Sequence, residues 1–162
     1  MPAVDRLRFV AVGQHDALAE PLLAELAVEY ATRYGGTTEA VGKWLRGYPA
    51  GEFEAPVGGM LIGLVDGEPV TGGAFRRFDV ETAELKRIWT HGSHRRAGHA
   101  RALLGALETE IAARGYRRIY LTTGDRQPEA EALYLATGYR KLDEPLPSHG
   151  EVYPMAFAKD LS

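Results

Sequence analysis

Residues 83–115 read AELKRIWTHGSHRRAGHARALLGALETEIAARG, and the hydrophobic period changes once along them. Ala83–Thr90 has the composition of a β-strand, in which side chains alternate between two faces. Gly98–Arg114 instead spaces its apolar residues as on one face of an α-helix, and Gly115 follows as a typical helix-ending residue. The stretch therefore predicts a strand, a loop and an amphipathic helix in succession.

On both sides of this stretch, the same criteria predict one α/β (α+β) domain with a mixed, mostly antiparallel sheet flanked by helices. Asp66-Gly67 is a strong signal for a two-residue hairpin, so the strands around it form an antiparallel meander. Pro154 suggests that the last strand is an edge strand or contains a bulge. The predicted strands are Leu7–Val12, Gly58–Asp66, Val70–Phe78, Ala83–Thr90, Arg118–Thr122, Tyr139–Leu142 and Glu151–Ala158, and the predicted helices are His15–Tyr34 with Asp16 as its cap, a short helix from Thr37 or Thr38 to about Arg46, Gly98–Arg114 and Pro128–Ala136.

The composition limits the classes of protein to consider. The 162 residues suit a single domain over 1–162, and a formal net charge of -3 argues against a general attraction to nucleic acid or to an anionic membrane. The absence of cysteine excludes disulfides, thiolate metal sites and a cysteine nucleophile. The start of the sequence does not resemble a signal peptide, and no apolar run approaches the roughly 20 residues of a membrane span. We therefore expect a cytoplasmic protein.

The loop between the fourth strand and the third helix is a candidate phosphate-binding site. Its residues Arg95-Arg96-Ala97-Gly98-His99-Ala100 lead into the first turn of a helix, where unpartnered N–H groups and a partial positive charge favour an anion. Gly98 would let the backbone approach a phosphate closely, and Arg95 and Arg96 would add positive charge. A solvated basic loop at a helix start is the alternative, since short glycine motifs recur by chance.

Two other phosphate sites are excluded. A Rossmann site needs three spaced glycines after the first strand of a parallel unit, whereas this loop follows antiparallel strands and carries one glycine. A P-loop needs Ser or Thr after its Gly-Lys pair, whereas Gly42-Lys43 is followed by Trp44.

Two motifs together resemble the GNAT superfamily of N-acetyltransferases. Arg95–Ala100 matches the family's cofactor motif, (Q or R)-x-x-G-x-(G or A), which also lies between the fourth strand and the third helix. Pro128–Tyr134 followed by Gly138-Tyr139 is similar to the family's A-x-x-L-Y-x-x-x-G-(F or Y) segment. The resemblance covers roughly Val57 to Lys159 and agrees with the order of elements. It implies a sheet that splays between its fourth and fifth strands, with acetyl-CoA as cosubstrate in the opening.

The resemblance also implies which residues bind the cosubstrate. The backbone of Ile88, Trp89 and Thr90 would pair with the pantetheine arm, and an N–H near Ile88 or Thr90 would stabilise the oxyanion. The amides around Arg96–Ala100 would bind the pyrophosphate. Gln127 stands where many relatives carry an asparagine that contacts the cofactor, so this position departs from the family pattern.

Acetylation of an amine needs a neutral amine, donors for the oxyanion and a proton for the leaving thiolate. Tyr134 matches the family tyrosine near the CoA sulfur, and its phenol, with an ordinary pKa of about 10, suits a general acid. Glu84 lies where histone-acetylating relatives carry a glutamate base. Alternation would place Glu84, Lys86, Ile88 and Thr90 on one face unless a bulge intervenes, and Lys86 would then lower the pKa of Glu84. A packed core tyrosine and a surface ion pair are the structural alternatives for these two residues.

No metal site is predicted, because His91, His94 and His99 flank the phosphate loop without an interleaved acidic ligand. We expect the acceptor to be a small-molecule amine, since nothing in the chain suggests a long peptide groove. In the family the acceptor site is shaped by the first two helices and the loop before the last strand, here Ala17–Arg46 and Glu144–Glu151. The side chains that could line an amine pocket, or could simply be surface and core residues, are Glu25, Glu29, Tyr30, Tyr34 and Trp44.

Other functions stay open at this point. The domain could bind acyl-CoA as a non-catalytic or regulatory module, or bind another nucleotide through Arg95–Ala100. It could also acetylate a protein or an aminoacyl-tRNA, although the net charge of -3 disfavours a tRNA partner. Family habit adds a homodimer to the expected partners, with no nucleic acid and no membrane among them.

Overall fold

The computed structural model describes residues 7–92, 98–123, 128–147 and 154–161. Within these residues, seven strands form one sheet and four α-helices cover it, in the predicted order. Short 3-10 helices lie at Ala17–Ala19 and Ala50–Phe53. The strands are β1 (Leu7–Ala11), β2 (Gly59–Val65), β3 (Glu68–Arg77), β4 (Thr82–Thr90), β5 (Arg118–Thr123), β6 (Arg140–Lys141) and β7 (Met155–Asp160), and the helices are α1 (Glu20–Tyr34), α2 (Thr38–Arg46), α3 (His99–Ala113) and α4 (Pro128–Ala136).

The strands follow one another across the sheet in the order β1-β2-β3-β4-β5-β7-β6. Neighbours are antiparallel except β4 and β5, which are parallel. The β2–β3 hairpin turns through Asp66 and Gly67, whose φ angles of 52 and 82 are the positive values that this turn requires. The predicted mixed, mostly antiparallel sheet is therefore confirmed.

β4 and β5 separate after a short stretch of pairing. The register joins Thr82–Glu84 to Arg118–Tyr120, and it joins no later pair of described residues, although β4 continues to Thr90. The sheet therefore opens between its fourth and fifth strands, as the resemblance implied. The opening begins at Glu84 and Tyr120, the last paired residues.

Helices bury both faces of the sheet. One face packs against α3 and α4 in a cluster that includes Leu103, Leu107 and Phe157. The other face packs against α1 and α2 in a cluster that includes Leu22 and Ile62. Because both faces of β2 and β3 are covered, consecutive residues in the middle of each strand are buried. Among the helices in the described ranges, none combines the length and the apolar composition needed to cross a membrane.

β4 contains a β-bulge. One residue of β3 separates the partners of Lys86 and Trp89, whereas two residues of β4, Arg87 and Ile88, lie between them. Arg87 takes a left-handed conformation, with a φ of 59, which accommodates the extra residue. An extra residue reverses the alternation of side chains in the part of the strand that follows it.

This reversal decides which side chains of β4 share a face. A Cβ on Gly73 would lie 2.6 Å from Ile88 Cδ1 and 3.1 Å from Leu107 Cδ1, so Ile88 faces α3. Glu84 instead pairs with Arg76 on the face that α1 and α2 cover. Glu84, Lys86, Ile88 and Thr90 therefore do not share one face, because the bulge named as the exception to simple alternation is present.

The first predicted helix is interrupted near its start. Asp16 is a cap, as predicted, but its Oδ1 accepts a hydrogen bond from Leu18 N at 2.9 Å and so caps the 3-10 helix. α1 begins at Glu20, because Pro21 has no N–H and fits the first turn of a helix.

Two other boundaries bear on the sequence predictions. Thr37 caps α2, as expected, by accepting a hydrogen bond from Ala40 N at 3.1 Å. β7 ends at Asp160 rather than at Ala158, because its pairing with β5 continues to Arg118. The predicted start of this strand, at Glu151, lies outside the described residues.

Candidate active site

The opening between β4 and β5 leads into a cleft of about 670 Å³. Its walls come from the end of β4, the first turn of α3, the inner face of α4 and the second half of α1. Of the residues predicted to bind the cosubstrate, the cleft brings together Ile88–Thr90, Gly98–Ala100 and Tyr134. Arg95–Ala97 and Gln127 lie outside the described residues.

Thr90 presents its backbone to this cleft. The carbonyl oxygen of Trp89 accepts a hydrogen bond from Thr71 Oγ1 at 2.7 Å, and His91 N donates to Val70 O at 2.7 Å, so both groups point toward β3. Because the N–H and C=O of one trans peptide point in opposite directions, the N–H and C=O of Thr90 point away from β3. They face the opening, where an extended ligand that contains amides can pair with them as another strand would.

Thr71 is a residue of this site that the sequence did not reveal. Its side chain is fully buried, and besides its bond to Trp89 its Oγ1 lies 3.1 Å from Thr90 Oγ1. Through Trp89 O it holds the peptide whose N–H belongs to Thr90 and faces the opening. A threonine in an apolar strand gives no signal of such a role, since threonine is an ordinary strand-forming residue.

The first turn of α3 opens into the same cleft. Gly98 is its N-cap residue, and its φ of 81 is a left-handed conformation that glycine adopts without strain. No side chain caps the helix among the described residues, so the first-turn N–H groups are directed at whatever occupies the cleft. These groups and the helix dipole together favour an anion such as a diphosphate.

Tyr134 forms part of the α4 wall. Its ring packs against those of Tyr139 and Phe157, with both pairs of centroids 5.6 Å apart. Burial raises the pKa of the Tyr134 hydroxyl above its ordinary value of 10.0. The side chain therefore belongs to the core and lines the cleft at once, and its phenol holds its proton at neutral pH.

Glu84 is not among the residues that line this cleft. It is buried, with its Oε1 accepting from Arg76 Nε at 3.0 Å and its Oε2 lying 3.7 Å from Lys86 Nζ. The predicted proximity of Lys86 is present, but the pair is not on the surface. Burial acts to lower the pKa of Arg76, but the charge and hydrogen bond of Glu84, together with Tyr48 and Glu52, outweigh burial and raise that pKa, so Arg76 stays a cation. Glu84 and Tyr134 thus approach the opening from opposite faces of the sheet.

Arg87, the bulge residue, is a buried cation on the same strand as Glu84. Its Nη1 donates to Gln14 Oε1 at 2.6 Å and its Nη2 to Leu45 O at 2.8 Å. Its guanidinium lies 5.3 Å from the ring centre of Tyr48 and 5.0 Å from that of Phe53. Burial lowers the pKa of Arg87 below the ordinary arginine value. These contacts tie the bulge to the end of α2 and hold the shape of β4 directly before the cleft. In the sequence, the sign that Arg87 has a structural role was a charged residue within a buried strand.

The residues considered for an amine pocket separate into three groups. Glu29 and Tyr30 line the cleft from α1. Glu25 lies beside the end of β4, where its Oε1 accepts from Gly92 N at 3.3 Å. Tyr34 and Trp44 are exposed on the surface. Helix α1 therefore contributes one carboxylate, from Glu29, and one phenol, from Tyr30, to the cleft wall.

The histidines considered for a metal site are dispersed. His91 Nε2 lies 3.4 Å from Glu25 Oε2, and His99 is buried at the start of α3. His94 lies outside the described residues. Across the described ranges, no three histidine or acidic side chains are grouped so that they could hold a metal ion.

Solved structures share this architecture. An acetyltransferase of the GNAT family from Staphylococcus aureus is similar with a TM-score of 0.75 and 15% identity, over 96% of this chain and 99% of that chain. A GNAT family acetyltransferase from Elizabethkingia anophelis with acetyl-CoA bound has a TM-score of 0.66 and 17% identity, over 97% and 99% of the two chains. The PaiA N-acetyltransferase from Thermoplasma acidophilum in complex with coenzyme A has a TM-score of 0.72 and 14% identity, over 95% and 98%. At these identities the likeness shows a shared fold.

Sequence comparison adds the family. The chain is 34% identical over 89 residues to YsnE, an uncharacterized N-acetyltransferase of Bacillus subtilis. That alignment covers 53% of this chain and spans 58% of the relative's length. The model of the acetyltransferase (GNAT) family matches residues 22–139, which is most of the chain and includes β4, the α3 turn and Tyr134. The chain therefore belongs to the acetyltransferase (GNAT) family, the acyltransferase family that its two motifs indicated.

Proposed function

We propose that the protein transfers an acetyl group from acetyl-CoA to a primary amine of a small molecule. One observation carries the proposal: the outward-facing peptide of Thr90 and the first turn of α3 meet in one cleft. A strand edge binds the amides of a pantetheine arm, and a helix N-terminus binds a diphosphate. The Elizabethkingia and Thermoplasma relatives, which hold acetyl-CoA and coenzyme A, support this assignment.

The order of residues along β4 sets the direction of the ligand. Thr90 and Gly98 lie at the end of the strand where α3 begins, so the diphosphate belongs there. The thioester then points back along β4 toward Glu84, where pairing with β5 stops. The reacting carbonyl is thereby placed in the gap between two strands, accessible from both faces of the sheet.

The proposed reaction uses one side chain from each face of the sheet. On the face of α1 and α2, Glu84 accepts a proton from the incoming ammonium, directly or through water, and the neutral amine attacks the thioester carbonyl. A peptide N–H of the β4 edge donates to the oxyanion. On the face of α3 and α4, Tyr134 donates its proton to the thiolate as the C–S bond breaks, and the nitrogen releases its second proton to water. Proton exchange with water then restores the Glu84 carboxylate and the Tyr134 hydroxyl. The products are an N-acetyl amine and free coenzyme A.

The test begins with calorimetric titration of the purified chain with acetyl-CoA, coenzyme A, ATP and NAD. Selective binding of the two CoA species supports the cleft assignment. Tighter binding of ATP or NAD, or no binding of CoA, would contradict it. Release of free thiol is then measured with panels of small amines, a lysine-rich peptide and aminoacyl-tRNA. Turnover confined to the peptide or the tRNA would overturn the small-molecule acceptor, and no turnover with any acceptor would leave a binding module without catalysis.

A further inference from the structure

Arg33 holds a carboxylate on each side of the cleft. Its Nε lies 3.3 Å from Glu29 Oε1, one turn earlier on α1. Its Nη2 donates to Glu129 Oε1 at 2.8 Å, in the first turn of α4. Both glutamates line the cleft. The guanidinium therefore crosses the rim of the cleft, from the wall that α1 forms to the wall that α4 forms.

The position of this bridge matters because the backbones of the two helices seldom come close. Within the described part of the chain, few Cα atoms of α1 lie near those of α4. The far end of α4 is anchored separately. There Tyr139 Oη donates to Glu108 Oε2 at 2.9 Å, and Lys159 Nζ donates to Glu108 Oε1 at 3.0 Å and to Thr137 O at 2.9 Å. The start of α4 is thus the end that Arg33 restrains.

We propose that Arg33 is a positioning residue that straps α4 to α1 across the rim and so retains acyl-CoA in the cleft. The inference rests on the proposed function, because it assigns the cleft to acyl-CoA. A ligand that runs along β4 beneath the start of α4 leaves more slowly while the two walls are tied.

The first experiment measures the dissociation rate of acetyl-CoA by stopped-flow displacement with excess coenzyme A. Arg33→Gln and Glu129→Gln should each accelerate dissociation roughly two- to five-fold, the range of a partly exposed ion pair. The double variant should be no faster than either single variant, because both remove the same bond. Salt should accelerate dissociation from the wild type toward the rate of the variants and should change the variants little. Arg118→Gln, which breaks an ion pair with Asp160 away from the cleft, is the matched control and should leave the rate unchanged.

Three outcomes would overturn the strap. One is a wild-type rate in both single variants. Another is a double variant whose acceleration equals the product of the two single effects. The third is acceleration by Arg33→Gln together with slower dissociation from Glu129→Gln, since that pattern would make Arg33 a direct partner of the anionic ligand.

A second measurement needs no ligand. Val28 on α1 and Leu135 on α4 are both exposed, and the chain has no cysteine, so Val28→Cys and Leu135→Cys admit a clean pair of spin labels. Arg33→Gln should broaden the distribution of label distances and shift it to longer values, whereas Arg118→Gln should not. An unchanged distribution would refute the strap. If the wild type binds no acetyl-CoA, the proposed function fails, and this distance still decides whether the strap exists.

Discussion

Glu84 and Ile88 lie on opposite faces of the sheet, although only three residues separate them on β4. The bulge at Arg87 is the cause, since it inserts one residue and reverses the alternation. A strand without the bulge would have placed the candidate base and the Ile88 side chain on the same face. The bulge instead leaves Glu84 on the side of α1 and α2, opposite the wall that contains Tyr134. The proposed base and acid therefore reach the thioester from two sides.

Glu84→Gln should lower kcat for amine acetylation by about 100-fold, because the amide keeps the shape of the carboxylate but cannot accept a proton. Acetyl-CoA affinity should change little. Raising the pH toward the pKa of the acceptor should restore part of the activity, since more of the amine is then already neutral. Glu52→Gln is the matched control, because Glu52 contacts the same Arg76 at 3.3 Å. Equal losses in the two variants would reduce Glu84 to an ion-pair partner.

Tyr134→Phe should lower kcat by about 100-fold and leave the Kd of acetyl-CoA nearly unchanged, because only the proton donor is removed. The comparison is Tyr116→Phe, which removes a buried hydroxyl that donates to Val57 O at 2.6 Å outside the cleft. Steady-state kinetics and calorimetry on both variants separate the two parameters. A wild-type kcat in Tyr134→Phe would exclude the acid role.

Gly98→Val should weaken acetyl-CoA binding by about tenfold, because a left-handed conformation costs a side-chain-bearing residue about 1–2 kcal/mol. Relief of that strain moves the first-turn N–H groups of α3 out of position. Gly105→Ala, in the same helix, is the control, since a Cβ there meets nothing within 4 Å. Calorimetry measures both. Wild-type affinity in Gly98→Val would remove the α3 turn from the binding site.

Thr71→Val should lower the free energy of unfolding by about 1–2 kcal/mol, because the buried carbonyl of Trp89 loses its hydroxyl donor. It should also weaken acetyl-CoA binding, since the peptide between Trp89 and Thr90 loses this support. Thr71→Ser keeps the hydroxyl and should preserve binding. Urea unfolding and calorimetry test the pair. If valine and serine behave alike, the hydrogen bond plays no part in the site.

Stability should fall in alkaline solution. Burial raises the pKa of Tyr134, and burial followed by the nearby Glu108 raises that of Tyr139. The folded state therefore keeps protons that the unfolded state releases near pH 10.0. The contribution of these two tyrosines to the free energy of unfolding is complete below that pH and is lost as the pH rises above it. Each tyrosine should lower the free energy of unfolding by up to about 1.4 kcal/mol per pH unit. Urea unfolding between pH about 9 and about 11 checks this. Over that range Tyr134→Phe should lose less stability than the wild type. An equal loss of stability would show that the Tyr134 hydroxyl does not contribute.

Local patterns in the sequence were enough for the elements and for the family. The Asp66-Gly67 turn, the Thr37 cap and the apolar face of Leu103 and Leu107 all depend on residues within a few positions of one another. The two motifs also located the α3 turn and Tyr134. Each motif is a short run of sequence: the first lies in the loop that leads into α3, and the second lies in α4 and the residues directly after it. Turns, caps and apolar faces depend on interactions within a single turn or a single strand, so one sequence is sufficient to predict them.

Relationships across the fold followed from the tertiary structure alone. Thr71 meets Trp89, and Arg33 meets Glu129, over 18 and 96 residues of sequence. Neither contact has a local signature, since a hydroxyl in a strand or an arginine on a helix fits many surroundings equally well. The bulge at Arg87 likewise depends on partners from the end of α2, which stabilise a conformation that a non-glycine residue otherwise avoids. The chain's own sequence determined which elements form. Packing between distant elements determined which side of the opening each candidate side chain, such as Glu84 or Tyr134, faces.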